Sequence, residues 1–366
     1  MPALRLCGML DIMLRGEAEH LVRLAGESGD LTGRARDKTA LASIGTRLVT
    51  VTGLPGVGKT ALALAVAADS NGAFRDGVWP VPLGQLRGDE LVPHTVAQAL
   101  AIPDQLSRNR LDALAAGLRD RQLLLVLDTC EHLIQGCAEL AAALLRHCPE
   151  TRIMATSREP LRLPEERVYS LRPLTLGHAV VLFGKRAREV RPEFRVTPGN
   201  RPVVTEICRR LDRLPLAIEL AAGQLASLSL TELRDDLDHG LGLLHDGDEE
   251  APGRHQTMSA AIGWSHQLCT PAERLLWARL SVFAEPFQLS DARQVGGDQH
   301  LDPAAVADAL LGLAMRSVLL TEITPGGGTV YRIPETIRAY GSAMLLRLGE
   351  ERAVHARYRL WQAQRK

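Results

Sequence analysis

Gly53, Leu54, Pro55, Gly56, Val57, Gly58, Lys59 and Thr60 fit the pattern G-x-x-x-x-G-K-[ST] without a mismatch. Three glycines in so short a span leave no Cβ in the way of a bulky anion. The backbone N–H groups of such a loop converge on one point with the N-terminus of a following helix. An ammonium placed like Lys59 reaches β- and γ-phosphate oxygens as a point charge, and the Thr60 hydroxyl can ligate Mg²⁺. The chemistry on offer is the grip of a polyphosphate tail, with Gly53, Pro55, Gly56, Val57, Gly58, Lys59, Thr60 and Ala61 as the candidate cradle. Asp128 ends the apolar run LLLVLD, where a carboxylate at the C-terminal edge of a sheet can hold the same metal through water.

These residues need particular elements to carry them. RLVTVTG is a short β-branched run ahead of the loop, and ALALAVAADS behind it has strong helix propensity, so the spacing predicts strand, loop, helix. LLLVLD at 123–128 and RIMAT at 152–156 read as two more fully apolar strands, each separated from the last by a helical stretch. Apolar strands alternating with helices predict a parallel sheet covered on both faces, an α/β P-loop NTPase fold. Past about Leu176 the strands stop and AVVLFGKRAREV, VVTEICRRLDRL and PLAIELAAGQLASL read as consecutive helices. The stretch 239–255 is rich in glycine, acid and proline and reads as a linker. Thr270, Pro271 and Glu273 supply the cap, first-turn proline and capping-box acid of a further helix. SVLLTEI, a TPGGG turn and VYRI predict a hairpin. The helix after it places Ile337, Tyr340, Gly341, Met344, Leu345 and Leu348 on one stripe, the pattern of a winged helix.

Composition narrows the function classes. Basic and acidic residues balance at 43 each, so no global field draws the chain to nucleic acid or an anionic surface. Only Lys38, Lys59, Lys185 and Lys366 are lysines in an otherwise arginine-based chain, which singles out Lys59. No apolar run approaches the ~18 residues of a membrane span, and the first residues lack the features of a signal peptide. The six cysteines, at 7, 130, 137, 148, 208 and 269, form no CxxC pair, which argues against a zinc site or a disulfide framework and for reduced thiols in the cytoplasm.

In order along the chain, VTGLPGVGKTALALAVA, LLLVLDTCEHL, RIMATSREPLRLP, ICRRLDRLPLAIELAA, RHQTMSAAIGWSHQL, LSVFAEPFQL and YRIPETIRAY resemble an NB-ARC-type STAND ATPase. The resemblance runs over about residues 31–361 and is strongest to the ATPase core of actinobacterial antibiotic-regulatory-protein-type (SARP) transcriptional regulators. It implies an ATP/ADP switch with Mg²⁺, acting through domain rearrangement or oligomerisation in signalling or transcription control. The implied layout is an unassigned segment 1–30, a P-loop domain 31–175, a helical domain 176–252, a winged helix 253–348 and the start of a repeat-like helical region at 349–366. It also implies that Arg158 senses the γ-phosphate, that Pro215 packs on adenine, and that Gly33 and Arg34 lie near the base. An arginine in reach of the γ-phosphate tells ATP from ADP by one charge-assisted contact. Three positions depart from the pattern: Ala35 stands where an acid is usual, Arg213 replaces a glycine before Leu214, and Pro334-Glu335 replaces a His-Asp pair whose histidine meets the β-phosphate.

Hydrolysis is expected to be slow, because Thr129 follows Asp128 where a second acid is common. Glu131 reads either as a water-orienting base or as an acid in the first turn of the next helix. His132 is not part of an HExxH pair, since position 135 is Gln, and reads as a surface residue. From 254 to 348 eight arginines meet eight acids, so the wing is expected to read protein, and DNA only through another domain or partner. Two other readings remain at this point. One is a steadily turning-over P-loop ATPase or phosphotransferase, and the other a DNA-binding winged-helix regulator with structural nucleotide.

Overall fold

The computed structural model describes residues 31–102, 110–238, 258–324 and 327–364, so the segment 1–30 and the linker at 239–255 lie outside the described residues. The described residues fall into two compact units divided between Leu171 and Arg172, and the loop tip Leu54–Val57 groups with the second.

In the first unit, β1 (Leu48–Thr52), β2 (Val78–Pro82), β3 (Leu124–Asp128), β4 (Arg152–Thr156) and β5 (Glu166–Ser170) make one parallel sheet in the order β2-β3-β4-β1-β5. The three strands expected from their apolar runs are the three interior ones. The two edges were not expected. VWPVP carries two prolines, which a sheet tolerates at its edge, and ERVYS is largely exposed and polar.

Side chains alternate across each strand, so both faces need cover. On one face Val81, Leu125, Leu127 and Ile153 pack with Val92 and Val96 of α3 (Val92–Ala99), Leu114 and Leu118 of α4 (Arg110–Leu118), and Leu140 and Leu144 of α5 (Ile134–His147). Burying each Leu or Val of this set contributes roughly 1.5–3 kcal/mol. On the other face lies α2 (Lys59–Ser70), and Val49, Val51, Val126 and Met154 are buried there. A preceding helix, α1 (Ala35–Ala42), packs on α2.

The second unit begins with α6 (Leu176–Val190), α7 (Arg201–Arg210), α8 (Pro215–Gly223) and α9 (Leu230–Asp238). It continues with α10 (Met258–Leu268), α11 (Pro271–Leu280), α12 (Leu289–Gly296) and α13 (Pro303–Met315). The hairpin β6 (Leu320–Ile323) and β7 (Thr329–Arg332) follows, then α14 (Glu335–Arg347) and α15 (Glu351–Gln364). The capping box of α11 forms as the sequence predicts: Glu273 N–H donates to Thr270 Oγ1 at 3.2 Å, and Thr270 N–H to Glu273 Oε2 at 2.7 Å. Along α14, Ile337, Gly341 and Leu345 are buried, whereas Leu348 is exposed because it stands just past the last turn. α15 docks on α12, with Trp361 Nε1 donating to Asp291 Oδ1 at 2.9 Å.

Arg279 of α11 is fully buried among carboxylates and a carbonyl: Glu350 Oε2 at 2.7 Å, Asp298 Oδ2 at 2.7 Å and Gly296 O at 2.8 Å. Cys130, Cys137, Cys148, Cys208 and Cys269 are all buried.

Candidate functional site

The C-terminal ends of β1, β3 and β4 carry the candidate residues, with β4 between the loop-bearing strand and the acid-bearing one. Lys59 and Thr60 open α2, where the helix N-terminus adds its partial positive charge. Gly58 adopts φ +96°, in the left-handed region that turns the chain into that helix. Lys59 Nζ donates to the Gly53 carbonyl at 2.9 Å, across the mouth of the loop. Desolvation pushes its ammonium down to about 8; Arg158 pushes the same way, and Glu131 and Asp128 oppose both.

Asp128 is held by hydroxyls. Thr60 Oγ1 and Thr156 Oγ1 each donate to Asp128 Oδ1 at 2.6 Å, and Thr129 Oγ1 donates to Oδ2 at 3.3 Å. Thr60 and Asp128, both expected as metal ligands, therefore bring hard oxygen donors together, and this donor set suits Mg²⁺. They are the residues that would hold it, where it would neutralise phosphate charge.

Sequence reasoning missed Thr156. Its hydroxyl also accepts from Thr129 N–H at 2.9 Å, and its carbonyl accepts from Cys130 N–H at 2.9 Å. It thus ties the turn after β3 to the end of β4. Only its place at the end of an apolar strand hinted at this, and a strand-end threonine is too common to signal by itself.

Two expectations next to Asp128 are corrected. Glu131 is not in the first turn of a helix: α5 starts at Ile134, and Glu131 sits in the preceding turn, buried against Arg158. Thr129 adopts φ +67°, a backbone angle outside the right-handed helical region. Arg158 Nε donates to Glu131 Oε1 at 3.0 Å, and each side chain is 7% exposed. Burial alone would raise the Glu131 carboxyl, but Arg158 and Lys59 together hold it below the usual range. His132 is not a free surface residue either, since it is part-buried with Nε2 2.9 Å from the Leu86 carbonyl.

Gly33 and Arg34 precede α1. Arg34 is buried and its Nη1 donates to Asp37 Oδ2 at 3.1 Å, while Tyr169 Oη donates to Asp37 Oδ1 at 2.6 Å. Tyr169 pairs in register with Val51 of β1, so this network stands beside the strand that leads into the loop. Ala35 offers no carboxylate, and the acid that pairs with Arg34 is Asp37.

Ala61, in the first turn of α2, is exposed, and the remaining predicted residues belong to the second unit. Pro55, Gly56 and Val57 lie in the loop tip, where Leu216 N–H donates to the Gly56 carbonyl at 3.2 Å. Gly56 has φ +69°, and a Cβ there would lie 3.0 Å from Leu216 Cβ, so this position needs glycine. Pro215 is the first residue of α8, suited to it because that position needs no N–H. Arg213, in place of the expected glycine, takes φ +58°, and Asp212 before it φ +51°, so the glycine-like turn is kept without glycine. In place of a His-Asp pair, Pro334 precedes α14, and Asp212 Oδ2 accepts from Thr336 N–H at 2.8 Å and Thr336 Oγ1 at 2.9 Å.

The loop, the strand order and the hydroxyl-held carboxylate together define an α/β P-loop NTPase. The chain belongs to the family of the Mycobacterium tuberculosis protein Rv0894, an uncharacterized protein, with 36% identity over 345 residues, 93% of this chain and 86% of that one. It is also 42% identical over 316 residues to Rv0890c of the same organism, named as an HTH-type transcriptional regulator, covering 86% of this chain and 35% of that protein. To the regulatory protein AfsR of Streptomyces coelicolor it is 28% identical over 363 residues, 90% of this chain and 31% of AfsR. The chain thus spans about a third of the length of these regulators. Among solved structures it is similar to the Pyrococcus horikoshii STAND protein PH0952 at 15% identity and a TM-score of 0.40, over 91% of this chain and 45% of that one. No family model matches the chain.

Proposed function

We propose that the chain is an adenine-nucleotide switch of the STAND class, an ATP/ADP-binding regulatory module with slow turnover that serves transcription control or signalling. The observation that supports it best is the meeting of Lys59, Thr60, Asp128 and Arg158 at three neighbouring strand ends. Lys59 and the loop amides would take the β- and γ-phosphates, and Thr60 with Asp128 would hold Mg²⁺. Arg158 would sense the γ-phosphate, and Gly33, Arg34 and Pro215 would serve the base, each read by its effect on ADP affinity. The kinship with Rv0890c and AfsR supports a regulatory role, with the winged-helix region 253–348 docking protein and DNA met through another domain or partner. The setting proposed for the chain is cytoplasmic; among the described residues no helix is long and apolar enough to cross a membrane.

The test is nucleotide extraction from the purified chain, followed by calorimetry with ADP and a non-hydrolysable ATP analogue in magnesium. Bound ADP and saturable uptake are expected. Lys59→Ala should weaken binding by about 10- to 100-fold, the worth of a charge-assisted contact. Guanine nucleotide in the extract, or uptake indifferent to Lys59→Ala, overturns the reading. Turnover at roughly 1–100 s⁻¹ would instead favour a working phosphotransferase.

A further inference from the structure

We infer that Glu131 is a positioning residue that sets the preference between tri- and diphosphate, by holding Arg158 until a γ-phosphate draws the guanidinium away. The inference rests on the reading of the site as an adenine-nucleotide switch, and adds to it the partner against which the γ-phosphate must compete.

The Arg158–Glu131 pair is a 3.0 Å charge-assisted contact with both side chains 7% exposed, so water screens it little. Its two members sit on short segments fastened to one residue. Arg158 lies two positions after Thr156 in the chain. The turn that carries Glu131 is bonded to Thr156 twice, through Thr129 N–H at 2.9 Å and Cys130 N–H at 2.9 Å. The backbone segments that carry the two side chains are therefore held side by side at the strand ends, while the guanidinium itself can turn about its side-chain bonds. The same threonine hydroxyl donates to Asp128, so the metal-side carboxylate and the arginine's holder share one anchor.

Lys59, Arg158, Glu131 and Asp128 carry formal charges that cancel within this cluster. A triphosphate that takes Arg158 must replace the carboxylate contact with a phosphate one, and only the difference between the two contacts is left to favour ATP. A diphosphate offers no such exchange. Glu131 thus sets how much of the γ-phosphate contact appears as discrimination.

The experiment measures the dissociation constants of the full chain for ADP and for a non-hydrolysable ATP analogue in magnesium, by calorimetry. Glu131→Gln keeps the shape and an acceptor oxygen but releases the charge on Arg158. The ratio of ADP to analogue dissociation constants is expected to rise by about tenfold, the scale of one hydrogen bond to a charged group. In an Arg158→Gln background the same substitution should move the ratio less than twofold. A ratio unchanged by Glu131→Gln, or a rise that persists without Arg158, overturns the inference, the latter because the charge would then act through Lys59. Should Glu131→Gln not fold, the ¹⁵Nε signal of Arg158 in the unsubstituted chain decides, with Arg158→Lys for assignment. It is expected to shift with the analogue and stay put with ADP, and equal signals in both overturn the inference. An unsubstituted chain that binds neither nucleotide refutes the switch itself. Intact binding with an unmoved ratio refutes only the part given to Glu131.

Discussion

Arg213 and Asp212 carry the local cost of the turn that leads into α8. Both adopt left-handed backbone angles, which disfavour a residue with a Cβ by roughly 1–2 kcal/mol. Arg213→Gly removes that penalty at the cost of a more flexible unfolded chain. The net outcome is a gain of about 0.5–1 kcal/mol, read as a rise in Tm of about 1–4 °C. Asp212 has no such freedom to change, because its buried carboxylate accepts both the amide and the hydroxyl of Thr336. Burial raises the Asp212 carboxyl, and the Thr336 and Glu335 amides and Arg332 pull against it. Among single residues, Lys59 and Thr60 stood out by their places in a spaced pattern, and Asp128 by ending an apolar strand downstream of it. Thr156 and the partner of Arg158 did not, because a hydroxyl at a strand end and an acid in a turn gain meaning only once β3 and β4 lie side by side.

At the scale of elements, apolarity decided what could be read. β1, β3 and β4 are buried on both faces and declare themselves as unbroken hydrophobic runs, while β2 and β5, with neighbours on one side only, do not. The start of α11 was legible from Thr270, Pro271 and Glu273, since a capping box is local chemistry. Nothing local announces that Arg279 in the same helix is fully buried, for its partners lie 19 and 71 residues away. That network gives a pH signature. Burial would raise Asp298, but hydrogen bonds from Arg279 and from the His300 and Leu301 amides hold it down to about 2, and Arg279 also lowers Glu350. Both folded values lie below the unfolded ones. Their stabilisation is therefore complete above the ordinary carboxylate range and is lost as pH falls from about 4 toward 2. Urea unfolding of the second unit should show this loss. Asp298→Asn should flatten it, and Arg279→Met should remove most of it, at a cost of about 3 kcal/mol at neutral pH.

At the scale of the whole molecule, the division into two units is the feature a regulator would use, because each has its own core and an opening of one need not unfold the other. The order of domains expected from the resemblance leads to a concrete outcome: limited proteolysis in the presence of ADP and of a non-hydrolysable ATP analogue should give different fragment patterns. Identical patterns at saturating nucleotide would count against a rearrangement. The regulators to which the chain is similar are about three times as long, so a rearrangement seen in this chain alone would belong to the module itself.

The buried thiols offer a way to watch this. Cys130, Cys137 and Cys148 belong to the first unit and Cys208 and Cys269 to the second, so the wild-type chain already holds a sealed chemical clock in each half. Alkylating reagent reaches a sulfur only while its surroundings are open. Peptide mass spectrometry against time would then report separate opening rates for the two halves, and a nucleotide that steadies one half alone would slow one clock and leave the other running.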